Sequence, residues 1–295
     1  MTQAITLTTD LLESFRGRRA AGESVKVLAR ELPGVCWQKL EKALRHGPRK
    51  PQRASSAAST KSAVLPTPSV KAGPLTEMYR PQSLDSIFGQ PEVVTFLRGL
   101  VGKPHPAALL FEGETGTGKT SAALALANDL GCRVDQKEFG GVHVIAAGEQ
   151  TADAVRETYN RLWQTPFYGS GWKVLIVNEA DRMHAAVETV WLDRLENLPP
   201  RTMIVFTTNY LDKLSQRLRD RCLSLHFECD PRKVADDARA LLTAMWRAEA
   251  RRVPARQTID QVVAAATQDG KFSFRRAVQL LHPYLMAQTT RGGAK

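Results

Sequence analysis

The chain has 295 residues, 43% of them apolar, with 41 Lys and Arg against 30 Asp and Glu and a formal net charge of +11. That length buries a sizeable core and predicts about two domains plus a small appended module, while apolar runs such as residues 122–127 are too short to cross a bilayer, which argues against a membrane partner. Four scattered cysteines (Cys36, Cys132, Cys222, Cys229) form no C-x-x-C pair for zinc or a redox dithiol, and the first residues lack a basic region followed by an apolar core, so a cytoplasmic protein is expected.

The charge is uneven. Residues 1–75 hold thirteen Lys or Arg against five Asp or Glu, which points to a polyanionic partner for this segment, with DNA the leading candidate. Apolar spacings in residues 1–47 describe three short helices, the last two separated by Pro33-Gly34-Val35 in the outline of a helix-turn-helix. Gln38, Lys39, Lys42 and Arg45 would then face DNA; a three-helix docking module with a solvated basic face is the alternative. Residues 48–74 combine five prolines with Ser, Ala, Thr and basic residues and no acid, a flexible basic linker.

From Leu75 onward apolar strands alternate with longer helical patterns, which predicts an α/β domain with a parallel sheet flanked by helices over 75–229. The strand at 107–111 runs into Gly113-Glu114-Thr115-Gly116-Thr117-Gly118-Lys119-Thr120 and then into a helical stretch. This is a complete phosphate-binding loop: its glycines let the backbone NH groups turn toward phosphate oxygens, Lys119 reaches the β and γ phosphates, and Thr120 offers its hydroxyl to Mg²⁺. ATP with Mg²⁺ is the expected ligand. A second strand, 173–177, ends in Asn178-Glu179-Ala180-Asp181, where such sheets place metal and catalytic groups. Glu179 is the candidate to polarise the attacking water, and Asn178 stands where an aspartate normally holds Mg²⁺. A third strand, 203–208, delivers Asn209 as a candidate reader of the γ-phosphate.

These motifs, in this order, resemble the AAA+ ATPases, and within them the clamp-loader group that includes bacterial gamma and delta-prime subunits and replication factor C subunits. The segment 77–90, from Glu77 to Gln90, is similar to the group's opening motif, which implies that Tyr79, Arg80, Pro81 and Gln90 lie near the nucleotide. Arg156, Trp172-Lys173 and the stretch 192–200 also fit, and residues 218–222 occupy the place of the group's Ser-Arg-Cys motif, with Asp220 departing from serine. The resemblance implies that Arg221 is an arginine finger acting on a neighbouring subunit, that Arg275 in Phe274-Arg275-Arg276 senses the γ-phosphate, and that residues 230–288 form a small helical lid before a disordered tail at 289–295. A surface arginine is the alternative for each. The group's subunits continue into a helical collar that has no counterpart after residue 288, so homo- or hetero-oligomers through AAA+ faces, or docking onto another protein, are expected. Three functions stay open: an ATP-gated assembly on DNA that loads or remodels a replication component, a DNA-targeting ATPase of a mobile element or phage, and a weakly hydrolysing structural ATP-binding subunit suggested by Asn178.

Overall fold

The computed structural model describes residues 73–292, with side chains through Ala287. The expected DNA-binding module (1–47), its residues Gln38, Lys39, Lys42 and Arg45, and linker residues 48–72 lie outside the described residues.

Five strands, β1 (Ala107–Gly113), β2 (Val142–Ile145), β3 (Lys173–Val177), β4 (Thr202–Thr208) and β5 (Leu223–Phe227), form one parallel sheet in the order β2-β3-β4-β1-β5. The central strands read as unbroken apolar runs because both faces are covered. Alternate residues go to opposite layers. Leu109, Phe111, Val174, Ile176, Met203 and Val205 join a core with helices α2 (Pro91–Gly102) and α3 (Lys119–Asp129), which follow the short opening helix α1 (Leu75–Met78). Ala108, Leu110, Leu175, Val177, Ile204 and Phe206 join a second core with α4 (Ala152–Arg161) and α5 (Ala185–Glu196). Trp191 on α5 is fully buried there, edge-on to Phe206 at 5.0 Å between ring centroids.

A short helix, α6 (Gln216–Asp220), leads into β5, and the chain then enters a helical region: α7 (Pro231–Ala250), α8 (Arg256–Ala265) and α9 (Phe274–Gly292). α7 starts sharply because the Asp230 carboxylate caps the Arg232 NH and Pro231 occupies the first turn. Its stripe Val234, Ala238, Leu242 and Met245 is buried against Ile259, Val262, Phe272 and Leu281. Leu75 and Tyr79 of the opening segment enter this same core, so the start of the described chain is tied to its end. A two-stranded hairpin, β6 (Thr267–Gln268) and β7 (Lys271–Phe272), links α8 to α9. Among the described residues α9 stays helical to Gly292, which includes the first residues of the stretch expected as a tail from residue 289.

Candidate functional site

The phosphate loop leaves β1 at the carboxyl edge of the sheet, where parallel strands leave an open crevice. Gly113 and Gly116 are demanded by shape. Gly113 has φ +138°, and a Cβ there would lie 2.6 Å from the Phe227 carbonyl oxygen. Gly116 has φ +83°, and a Cβ would collide with the Ser273 hydroxyl of the helical region. Gly118, also at positive φ, precedes α3, whose first residues are Lys119 and Thr120. The Thr117 hydroxyl donates to the Glu114 carbonyl (2.8 Å), and Thr115 is exposed beyond it.

Lys119 is the centre of the arrangement. Its side chain is buried, and Nζ donates to the carbonyls of Gly113 (2.7 Å) and Glu114 (2.8 Å) and to Asn209 Oδ1 (2.9 Å). Burial pushes its ammonium down to about 8, opposed by the Glu114 and Asp181 carboxylates and assisted by Arg275. A triphosphate seated in the loop would supply the anion this cation lacks.

On β3 the register Val177↔Phe206 sets the residues that follow both strands side by side. Asn178 Oδ1 accepts from the Thr120 hydroxyl at 3.1 Å, with the Thr207 hydroxyl at 3.5 Å. These are hard, neutral oxygen donors beside the phosphate loop, and they suit a Mg²⁺ ion whose charge is met chiefly by the nucleotide's own phosphates. Among the described residues no group of three or more His, Cys, Asp or Glu could hold a metal without it. Glu179 adopts φ +52°, ψ +54°, unusual for a residue with a side chain. That turn is held by the Glu179 NH donating to Thr207 Oγ1 (3.2 Å) and by Gln150, whose amide donates to the Asn178 and Glu179 carbonyls. The Glu179 carboxylate is engaged by Arg182 at 2.8 Å. Asp181 takes a different part: its Oδ1 accepts from Thr208 Oγ1 (2.9 Å) and from the Asn209 NH (3.1 Å), which sets Asn209 in place beside Lys119.

A cavity of about 230 Å³ lies between the opening segment, the loop and the helical region. Tyr79, Arg80, Pro81, Gly116, Gly118 and Arg275 are among its lining residues. Phe88 and Phe274 supply its apolar part, suited to a base. Tyr79 donates its hydroxyl to Glu249 Oε1 (2.6 Å), and burial followed by this carboxylate raises its pKa. Arg80 reaches Glu77 at 2.5 Å. Gln90, expected beside the nucleotide, does not line this cavity; its amide is consumed by the Glu228 backbone, donating to the carbonyl (2.9 Å) and accepting from the NH (2.8 Å). It is 2% exposed, and its place is a clamp between the opening segment and the strand end that leads into α7.

Arg221 stands apart from all of these. It precedes β5, and the register Leu109↔Leu223 through Gly113↔Phe227 puts it at the amino edge of the sheet. The loop of the same chain lies beyond a strand of about 13 Å. Its guanidinium pairs with Glu196 at 2.8 Å and donates to the Arg217 carbonyl. Gln150 and Lys271, which engages Glu114 of the loop, were not visible as site residues in the sequence, because each acts through a contact between distant segments. Asp181 had a signal, the acidic run after β3, but its partner on β4 had none.

The chain is similar to known proteins over this region. The family described as DNA polymerase III, delta subunit, matches residues 89–231. The replication factor C small subunit of Archaeoglobus fulgidus is 31% identical over 158 residues, 53% of this chain and 49% of that one. Replication factor C subunit 3 of Saccharomyces cerevisiae is 31% identical over 166 residues, 55% of this chain and 48% of that protein, so the chain spans about half the length of the curated relatives it matches. In fold alone it is similar to RuvB of Thermotoga maritima, in the T158V structure, with a TM-score of 0.57 at 20% identity over 72% of this chain and 67% of that one. Phosphate loop, β3 acid and β4 asparagine stand on a parallel sheet of the same fold as RuvB, and over residues 89–231 the chain is similar to the DNA polymerase III delta subunit family and to replication factor C subunits.

Proposed function

We propose that this module binds and hydrolyses MgATP as an ATP-gated subunit of a DNA-associated assembly that loads or remodels a replication component. The observation that carries this reading is the buried Lys119 ammonium held between two loop carbonyls and Asn209, with Arg275 close enough to act on its charge and lining the adjoining cavity. On binding, Lys119 exchanges the carbonyls for the β and γ phosphate oxygens, and Asn209 stays beside the γ-phosphate. Thr120, backed by Asn178, would hold Mg²⁺, which when bound neutralises charge on those phosphates. Glu179, released from Arg182, polarises the attacking water. Arg221, too far from the loop of its own chain, exchanges Glu196 for the γ-phosphate bound to a neighbouring subunit, so nucleotide favours assembly.

A second reading is favoured by one pair of observations: Asn178 replaces a charged metal partner, and Glu179 is ion-paired with Arg182. Under it the module binds ATP and turns it over weakly, acting as a structural subunit. No membrane enters either reading; among the described residues no helix is long and apolar enough to cross one. Contact with DNA is assigned to the basic segment 1–74.

The test begins with Lys119→Ala, which should abolish ATP affinity; unchanged affinity removes the phosphate-loop reading. Mixing Arg221→Ala with Glu179→Gln subunits should then restore part of the ATPase activity by pairing an intact finger with an intact base. If the mixture stays inactive while wild type turns over, Arg221 is not a shared finger. Deleting residues 1–74 should weaken DNA binding and flatten its salt dependence, and a deletion without either effect moves DNA contact elsewhere.

A further inference from the structure

The second residue of the phosphate loop is acidic. A carboxylate in a loop that must accept a polyanion opposes binding, and Glu114 lies close enough to Lys119 to act on its charge. Its side chain is engaged by Lys271 Nζ, 157 residues further along the chain. Lys271 is carried by a firm element. It sits on β7, paired with β6 through Gln268↔Lys271 across the Asp269-Gly270 turn, both of whose residues have positive φ. The neighbouring Phe272 is 1% exposed, donates its NH to the Cys229 carbonyl (2.8 Å) and stacks edge-on against Phe274 at 5.0 Å. Three residues on, the Arg275 NH donates to the Gly116 carbonyl of the loop (3.3 Å). The groove beside this pair also holds Asp269 and Arg276, so Lys271 is one of the two cations that line it.

We propose that Lys271 is a nucleotide-positioning residue that acts through Glu114, cancelling the loop's carboxylate so that a di- or triphosphate can enter while the lid hairpin is seated on the loop. This rests on the phosphate-loop reading of Lys119. The expected signature is graded by ligand charge. Lys271→Ala should weaken MgATP binding on the order of tenfold, weaken MgADP less and leave adenosine unchanged, because an uncancelled carboxylate repels in proportion to the phosphate charge. A role in lid packing alone would weaken adenosine equally, since the same lid lines the base cavity.

The test is titration of the full chain and five variants with MgATP, MgADP and adenosine by calorimetry. Lys271→Arg should bind all three as the parent does. Glu114→Gln should bind MgATP at least as tightly as the parent, and Glu114→Gln/Lys271→Ala should return to within about twofold of it, since no carboxylate is left to cancel. A double variant as weak as Lys271→Ala, or an equal loss for adenosine, overturns the proposal. Lys119→Ala is the control that separates failures: if it still binds MgATP, the loop reading has failed, whereas loss there with Lys271→Ala unaffected sinks the Lys271 role alone.

Discussion

Nucleotide affinity should depend on pH through Lys119. Burial first, with Arg275 assisting, holds its pKa at about 8 against the pull of the Glu114 and Asp181 carboxylates. Phosphate oxygens in the loop would favour the ammonium, so the pKa rises on binding and the complex takes up a proton wherever the free site has lost one. Below about 8 the free site is already charged and affinity is flat in this group; above it, each pH unit costs about a factor of ten until the pKa of the complex is reached. Raising the pH from about 7 to about 9 should therefore weaken binding roughly tenfold, close to 1.4 kcal/mol. Calorimetry in buffers of different ionisation enthalpy reads the proton directly, with uptake approaching one per site at the upper pH. Lys119→Arg should remove the dependence, because a guanidinium stays charged throughout. An affinity constant across this range, with no proton uptake, would refute the assignment of a neutralisable ammonium at the phosphate site.

Three substitutions probe the remaining contacts. Gln90→Ala removes both bonds to the Glu228 backbone and should destabilise the module by about 2–4 kcal/mol in denaturant while leaving ATP affinity unchanged in the folded protein; lost affinity without lost stability would return Gln90 to the nucleotide. Asp181→Ala frees Thr208 and Asn209, so turnover should fall on the order of tenfold with little change in ATP affinity, and equal turnover would show that Asn209 needs no such support. Trp191→Ala empties the centre of the second core and should cost about 3–5 kcal/mol in urea unfolding, a value below about 1 being inconsistent with its full burial.

The strand-loop-helix setting of the glycine-rich loop and the strands read at 107–111, 173–177 and 203–208 were legible in the sequence, as was the place of Asn178, Glu179 and Asn209 just past the strands, because each rests on a local signal: a glycine-rich turn and apolar runs of strand length. Gln90 was placed near the nucleotide only through the resemblance of the 77–90 motif, and its bonds to the Glu228 backbone, 138 residues away, come from tertiary structure alone.

Residue order alone determined that a phosphate loop follows a strand and opens a helix, since its atoms are bonded in sequence and a few torsion angles fix them. Tertiary structure decided what meets that loop. The parallel register lays Asn209 against Lys119, the hairpin brings Lys271 to Glu114, and Arg221 is held at the amino edge of the sheet. These contacts span 90 and 157 residues for the two lysines, and no local propensity encodes them; they exist because the strand order β2-β3-β4-β1-β5 sets β4 beside β1 and because the helical region packs against the loop at the carboxyl edge of the sheet.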